Sequence, residues 1–202
     1  MIKNIILDVG KVLVEWDTEY AFRKMGFDEE TRRAVAAATV ASPDWNELDR
    51  SLLSDEELLE KMIANAPGYE REIRMVWENI SLPIWQYDYV RPWILAMKNK
   101  GYRVYILSNY SRYTYENTKE ALSFLEDVDG ALFSFEVHQT KPEAEIYQSL
   151  LSKYQLDAAE CLFLDDRQEN IDAAEAQGIR GIRFTGYEDA LRELKRHGVE
   201  LA

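Results

Sequence analysis

The chain has 202 residues, of which 47% are apolar and 12% aromatic, enough for one full core plus a modest accessory unit. Its formal net charge of −13 excludes nucleic acid and an anionic membrane surface as main partners, because both repel an acidic body. Cys161 is the only cysteine, which excludes an intrachain disulfide and a thiol-rich metal site.

The N-terminal MIKNIILDVG lacks the apolar stretch and cleavage site of a secretory signal. No apolar run approaches the ~20 residues of a membrane span, so a cytoplasmic protein is expected. Residues 2–7 (IKNIIL) read as a buried strand that delivers Asp8 at its C-terminal edge. From residue 15 to about 88 the patterns are helical only: TEYAFRKMG, EETRRAVAAATV, SDEELLEKMIANA and YEREIRMVWENI. Ser54 and Glu57 form a capping-box signature that starts one of these helices. Pro43, Pro67-Gly68 and Pro83 punctuate the stretch. YRVYIL before Ser108, GALFSF at 130–135, CLFL before Asp165 and IRGIRF at 179–184 are further strand patterns. Pro142 is expected at the first turn of the helix PEAEIYQSLLSKYQ, and Gly178 caps the helix ENIDAAEAQ.

Strand-then-helix alternation with apolar strands predicts an α/β fold, a doubly wound parallel sheet covered on both faces. The expected organisation is a core of residues 1–14 and 89–202, with residues 15–88 inserted after the first strand as a helical cap. Ligands of such sheets bind beyond the strand C-termini. Asp8, Ser108 and Asp165 all fall there. Carboxylates share a cleft with a phosphate dianion only when a cation lies between them, so a phosphate site in this chain calls for a metal. The glycines have no dinucleotide or P-loop spacing.

Four pieces stand in fixed order: Asp8-Val9-Gly10-Lys11-Val12-Leu13, Ser108-Asn109, Lys141-Pro142, and Asp165-Asp166 with Asn170. In this order the chain resembles the haloacid dehalogenase superfamily over its whole length, including the position of the cap. The resemblance implies a Rossmann-like core and a magnesium-dependent hydrolase, with Asp8 as a nucleophile that forms an aspartyl-phosphate. A carboxylate attacking phosphorus divides one difficult hydrolysis into two easier steps. The resemblance further implies Mg2+ held by Asp8, the Gly10 carbonyl, Asp166 and its neighbour Asp165, with Asn170 supporting that shell. Ser108 and the Asn109 N–H would bind phosphate oxygens. Lys141 would neutralise developing charge and hold Asp8 to the phosphate. The implied partner is a small phosphorylated substrate, with Asp49 and Arg50 of the cap as candidate contacts; monomer and homodimer both remain open.

One position departs from the family pattern. Most phosphatases of the superfamily carry a second aspartate two residues after the nucleophile, where it protonates the leaving oxygen and then activates water. Here that residue is Gly10, followed by Lys11. Three readings are open. The chain resembles a subgroup with Asp-x-Gly-Asn in this motif, which includes bacterial sugar phosphatases acting on α-glucose-1-phosphate, and without the acid it would favour esters whose leaving group needs little protonation. Alternatively it is a 2-haloacid dehalogenase, whose halide leaves unprotonated; against this stands the Asp165-Asp166 pair, which speaks for a metal that dehalogenases do not need. Or it has lost catalysis and binds a phospholigand. Glu15 and Asp17 are candidate replacements for the acid, while Lys11 either enters the cleft or points to solvent. His138 near Lys141 is a possible proton carrier, though a loop histidine is more often structural, and the tyrosines at 102, 105, 110, 113 and 115 read as packing.

Overall fold

The computed structural model describes residues 1–201. Strand β1 (Asn4–Leu7) leads through a tight turn into β2 (Val14–Trp16). Five helices follow: α1 (Thr18–Lys24), α2 (Glu29–Ala38), α3 (Pro43–Arg50), α4 (Asp55–Asn65) and α5 (Glu70–Glu78). Strand β3 (Ile84–Gln86) then returns to pair antiparallel with β2. The rest alternates: α6 (Val90–Asn99), β4 (Arg103–Ser108), α7 (Arg112–Asn117), β5 (Gly130–Phe133), α8 (Ser134–Val137), α9 (Ala144–Tyr154), β6 (Cys161–Asp165), α10 (Gln168–Ala176), β7 (Arg180–Arg183) and α11 (Tyr187–Arg196).

The main sheet is parallel, in the order β5-β4-β1-β6-β7. From β1 the chain moves outward to β4 and β5, then crosses back to β6 and β7. The direction of winding therefore reverses between β1 and β6, which opens a crevice at their C-terminal ends. Apolar side chains on both faces of the central strands explain why helices cover both sides. In β1 the pleat sends Ile5 and Leu7 to one core cluster, with Trp93 and Ile106, and Ile6 to the other, with Tyr147 and Phe163. The doubly wound α/β class expected from the sequence is the observed one.

The helices between β2 and β3 bury a separate cluster that includes Phe22, Val35, Leu48, Leu58, Met62 and Trp77. Their starts are written locally. Asp17, Asp28 and Ser42 each accept a backbone N–H at an N-cap, and Ser54 with Glu57 closes the expected capping box. The all-helical expectation for this stretch needs one correction: β2 and β3 form a two-stranded ribbon where the helical stretch leaves and rejoins the core. A second concerns Pro142, which lies in the turn before α9, so that the helix starts at Ala144 with extended Glu143 as its N-cap. The strand expected through residue 135 ends at Phe133, where α8 begins. Among the described residues no helix is long and apolar enough to cross a membrane.

Gly130 opens β5 under the ring of Tyr154, and a Cβ there would lie 2.4 Å from ring carbons. The Tyr154 hydroxyl is itself fixed, donating to the Ala131 carbonyl at 2.7 Å and accepting from its N–H at 2.8 Å. Gly130→Ala is therefore expected to destabilise the fold by about 1–3 kcal/mol, the usual cost of overpacking, measured by denaturant unfolding. Unchanged stability would mean that the ring moves freely.

Candidate active site

The crevice at the β1/β6 reversal holds a cavity of about 360 Å³, lined from the core by Asp8, Gly10, Ser108, Asn109, Lys141 and Asp166. Asp8 follows β1 and is 7% exposed. Its Oδ1 accepts the Val9 N–H at 2.7 Å and the Lys141 ammonium at 2.8 Å. Burial, with the nearby Asp165 charge adding to it against the pull of Lys141, pushes the Asp8 carboxyl up to about 7. The turn after it is compact: the Val9 carbonyl accepts from the N–H groups of Leu13 and Val14, and Lys11 takes a left-handed backbone at φ 61°.

Lys141 is wholly buried, and its ammonium bridges Asp8 and Asp165, with Asp165 Oδ2 at 2.6 Å. Burial works against its charge, but the two carboxylates outweigh burial and hold the amine above its ordinary range. Asn109 fixes the lysine backbone from both sides: its Nδ2 donates to the Lys141 carbonyl at 3.0 Å and its Oδ1 accepts the Lys141 N–H at 2.7 Å. Ser108 ends β4, and among the described residues its hydroxyl makes only a long 3.5 Å contact to the next carbonyl, which leaves it available to a ligand.

Asp165 is saturated. Besides Lys141 it accepts the Arg167 N–H at 2.8 Å and the Asn170 side-chain amide at 2.9 Å. Asp166 faces the cavity, its carboxyl raised by burial and by Asp165. One carboxylate oxygen each of Asp8, Asp165 and Asp166 falls within 4.8 Å of the others. Three crowded carboxylates against one buried ammonium call for a further cation, and an all-oxygen donor set suits a hard divalent ion. Asn170 adds a sign of the same kind, because its buried Oδ1 has no hydrogen-bond partner among the described residues. These residues fit a magnesium site.

Val40, Trp16, Trp45, Asn46 and Asp49 close the cavity from the other side, with Trp16 and Trp45 in edge-to-face contact at 5.8 Å. Arg50, expected to touch substrate, does not line the cavity. It forms an ion pair with Glu143, because the C-terminal turn of α3 docks on the loop after α8. His138 is also taken up by docking, its Nδ1 lying 2.7 Å from the Arg50 carbonyl. Lys11 does line the cavity, but its ammonium is paired with Glu15. Glu15 in turn accepts from Tyr87 and the Trp16 N–H; burial alone would raise its carboxyl, yet these bonds and Lys11 hold it low. Asp17 caps α1. Neither acid lines the cavity. Sequence reading missed Arg167, which lines the cavity beside Asp166, as well as Ser111 and Thr114; a residue adjoining an acidic pair at a strand end was the one available signal.

Fold and site together define a hydrolase built around a buried carboxylate next to an acidic, cation-ready cluster. The chain belongs to the haloacid dehalogenase-like hydrolase family, whose profile matches residues 2–178. It is 28% identical to a D-ribitol-5-phosphate phosphatase of Bacteroides thetaiotaomicron, over 96% of this chain and 97% of the relative. It is 23% identical to a sesquiterpene phosphatase of Aspergillus oryzae, over 96% and 95% respectively. It also superposes on a HAD family enzyme of Bacteroides thetaiotaomicron solved with magnesium and inorganic phosphate. The TM-score is 0.68 at 25% identity, covering 90% of this chain and 93% of that one.

Proposed function

We propose that the protein is a magnesium-dependent phosphatase of a small phosphorylated metabolite, with Asp8 as nucleophile and residues 15–88 as a cap over the core. The observation that carries the proposal is the Asp8–Lys141–Asp165 bridge at the floor of the cavity. Both hydrogen bonds to Asp8 fall on Oδ1, so the carboxylate is oriented while its other oxygen stays free of them. Lys141 offsets the negative charge that gathers as the phosphoryl group arrives. Ser108 and the Asn109 N–H bind the phosphoryl oxygens, and Asn109 also keeps Lys141 in position. Mg2+, held by Asp8, the Gly10 carbonyl and Asp166 with Asp165 and Asn170 behind them, would supply electrostatic neutralisation of the phosphoryl oxygens. The relatives act on phosphates of a polyol and of a terpenoid, which supports a phosphomonoester substrate. A sugar or polyol phosphate is the class favoured here: the cavity volume of about 360 Å³ suits a small ligand, and Trp16 and Trp45 offer a face for its carbon skeleton.

The test is phosphate release from a panel of phosphoesters, by wild type and Asp8→Asn, with magnesium and with chelator. Magnesium-dependent release, absent in the mutant, is expected. Halide release from 2-haloacids without a metal would instead support the dehalogenase reading, and silence in both assays a binding role. Metal removal has its own expected outcome. Magnesium at about 100 times its dissociation constant should stabilise the fold by about 2.7 kcal/mol, read as a rise in Tm. Asp166→Asn should shrink that rise, and an unchanged response in this variant would remove Asp166 from the site.

A further inference from the structure

The carboxylates around the cavity differ in what holds them. Asp8 is bonded to Val9 and Lys141, Asp165 is saturated, and Asp166 belongs to the acidic cluster. Glu15 and Asp17 are committed to Lys11 and to the start of α1. Asp49 remains. It lies on the last turn of α3, lines the cavity opposite Asp8, and its side chain makes no hydrogen bond or ion pair among the described residues. Its backbone is held firmly. The Ser134 hydroxyl donates to the Asp49 carbonyl at 2.6 Å, and the Arg112 N–H donates to the Ser51 hydroxyl at 3.2 Å. Together with the Arg50–Glu143 and His138 contacts, these bonds latch the end of α3 to the starts of α7 and α8 and to the loop after α8. A carboxyl with no partner of its own, carried on a backbone held in place, can exchange a proton with a ligand in the cavity.

We propose that Asp49, on the cap, is the general acid and base of the reaction. This deepens the phosphatase reading and rests on it. In the first step an Asp8 oxygen forms a bond to phosphorus as the phosphorus–ester oxygen bond breaks, and the departing oxygen takes the Asp49 proton to leave as an alcohol. In the second, water attacks phosphorus and gives a proton to the Asp49 carboxylate. The phosphorus–Asp8 bond breaks, and inorganic phosphate and both starting side chains are recovered. The groups facing Asp49 suit this cycle. Burial pushes its carboxyl up to about 7, with Asp8 adding to the rise and Lys141 and Arg167 opposing it, so that both protonation states are within reach near neutrality. Gly10, which offers no side chain to the leaving group, is then no handicap. Alkyl esters, which need a protonated leaving group, become ordinary substrates.

The test compares Asp49→Asn with wild type on two esters in rapid-mixing experiments: the alkyl phosphate that wild type turns over fastest, and 4-nitrophenyl phosphate, whose leaving group departs without a proton. With the alkyl ester, kcat is expected to fall about 100- to 10,000-fold. With the nitrophenyl ester the variant should still release a first equivalent of nitrophenolate at close to the wild-type rate, then stall with phosphate on the protein because water is no longer activated. Retention of that burst also shows that the variant is folded. Alkyl turnover within a few-fold of wild type, or equal loss of the first step on both esters, would overturn the role of Asp49. If wild type itself releases no phosphate from any ester, the phosphatase reading fails first and this role with it.

Discussion

Asp8→Asn is expected to lower phosphate release by about four orders of magnitude or more, the scale seen when a covalent nucleophile is removed, while the fold stays intact. An amide matches the carboxylate in size and still accepts the Val9 N–H, and Lys141 keeps Asp165 as an anionic partner at 2.6 Å. The change should even favour stability under defined conditions. The folded Asp8 carboxyl is raised from 3.8 to about 7, so its ionised form opposes folding. That penalty is absent below pH 3.8, grows as pH rises through the interval, and is complete above about 7. Without divalent metal, the stability of Asp8→Asn relative to wild type should therefore improve between pH 4 and pH 7. Urea titrations at several pH values measure it, and a variant that loses stability relative to wild type as pH rises would contradict the assigned burial cost.

Lys141→Met is expected to damage both stability and rate. The ammonium is buried between two carboxylates, and removing one partner of a buried ion pair typically costs about 3–5 kcal/mol because the remaining charge is uncompensated. Here Asp165 would lose its ammonium partner, and Asp8, already raised to about 7, would be driven further toward its protonated form. Methionine fills a similar volume, so the loss would be electrostatic rather than a cavity effect. Turnover should drop by about 100-fold or more, since the charge that offsets the incoming phosphoryl group goes with the lysine. Denaturant unfolding and kcat on one ester test both parts. A variant with wild-type Tm and kcat would show that Lys141 bears neither role.

The central strands of the main sheet were legible because they are short runs of mostly apolar residues, the pattern of a strand buried on two faces. The two strands of the ribbon were not. β2 and β3 are three residues each, separated by all five inserted helices, and their pairing is a tertiary event with no local signature. Pro142 reads as a first-turn residue, yet extended Glu143 postpones the helix to Ala144. Within the site, residues fixed by strand ends could be anticipated: Asp8, Ser108 and Asp165 lie where their strands finish, and the topology gathers them beside Lys141 and Asp166. Residues of the inserted helices could not be placed in this way. Asp49 and Arg50 are neighbours in the same turn and looked equivalent, but helix geometry turns one toward the cavity and the other toward Glu143. Only the docking of α3 on the core decides which is which. Arg167 and Trp16 likewise enter the cavity through the fold rather than through any motif.

Covalent chemistry at Asp8 is measured most directly by an acid-quenched single turnover followed by peptide mapping. Mixed with a phosphoester and magnesium, then quenched before the second step, the protein is predicted to carry phosphate on the peptide containing Asp8, labile to alkali and absent from Asp8→Asn. Inorganic phosphate formed at the wild-type rate with none bound to the protein, or bound at another residue, would contradict it.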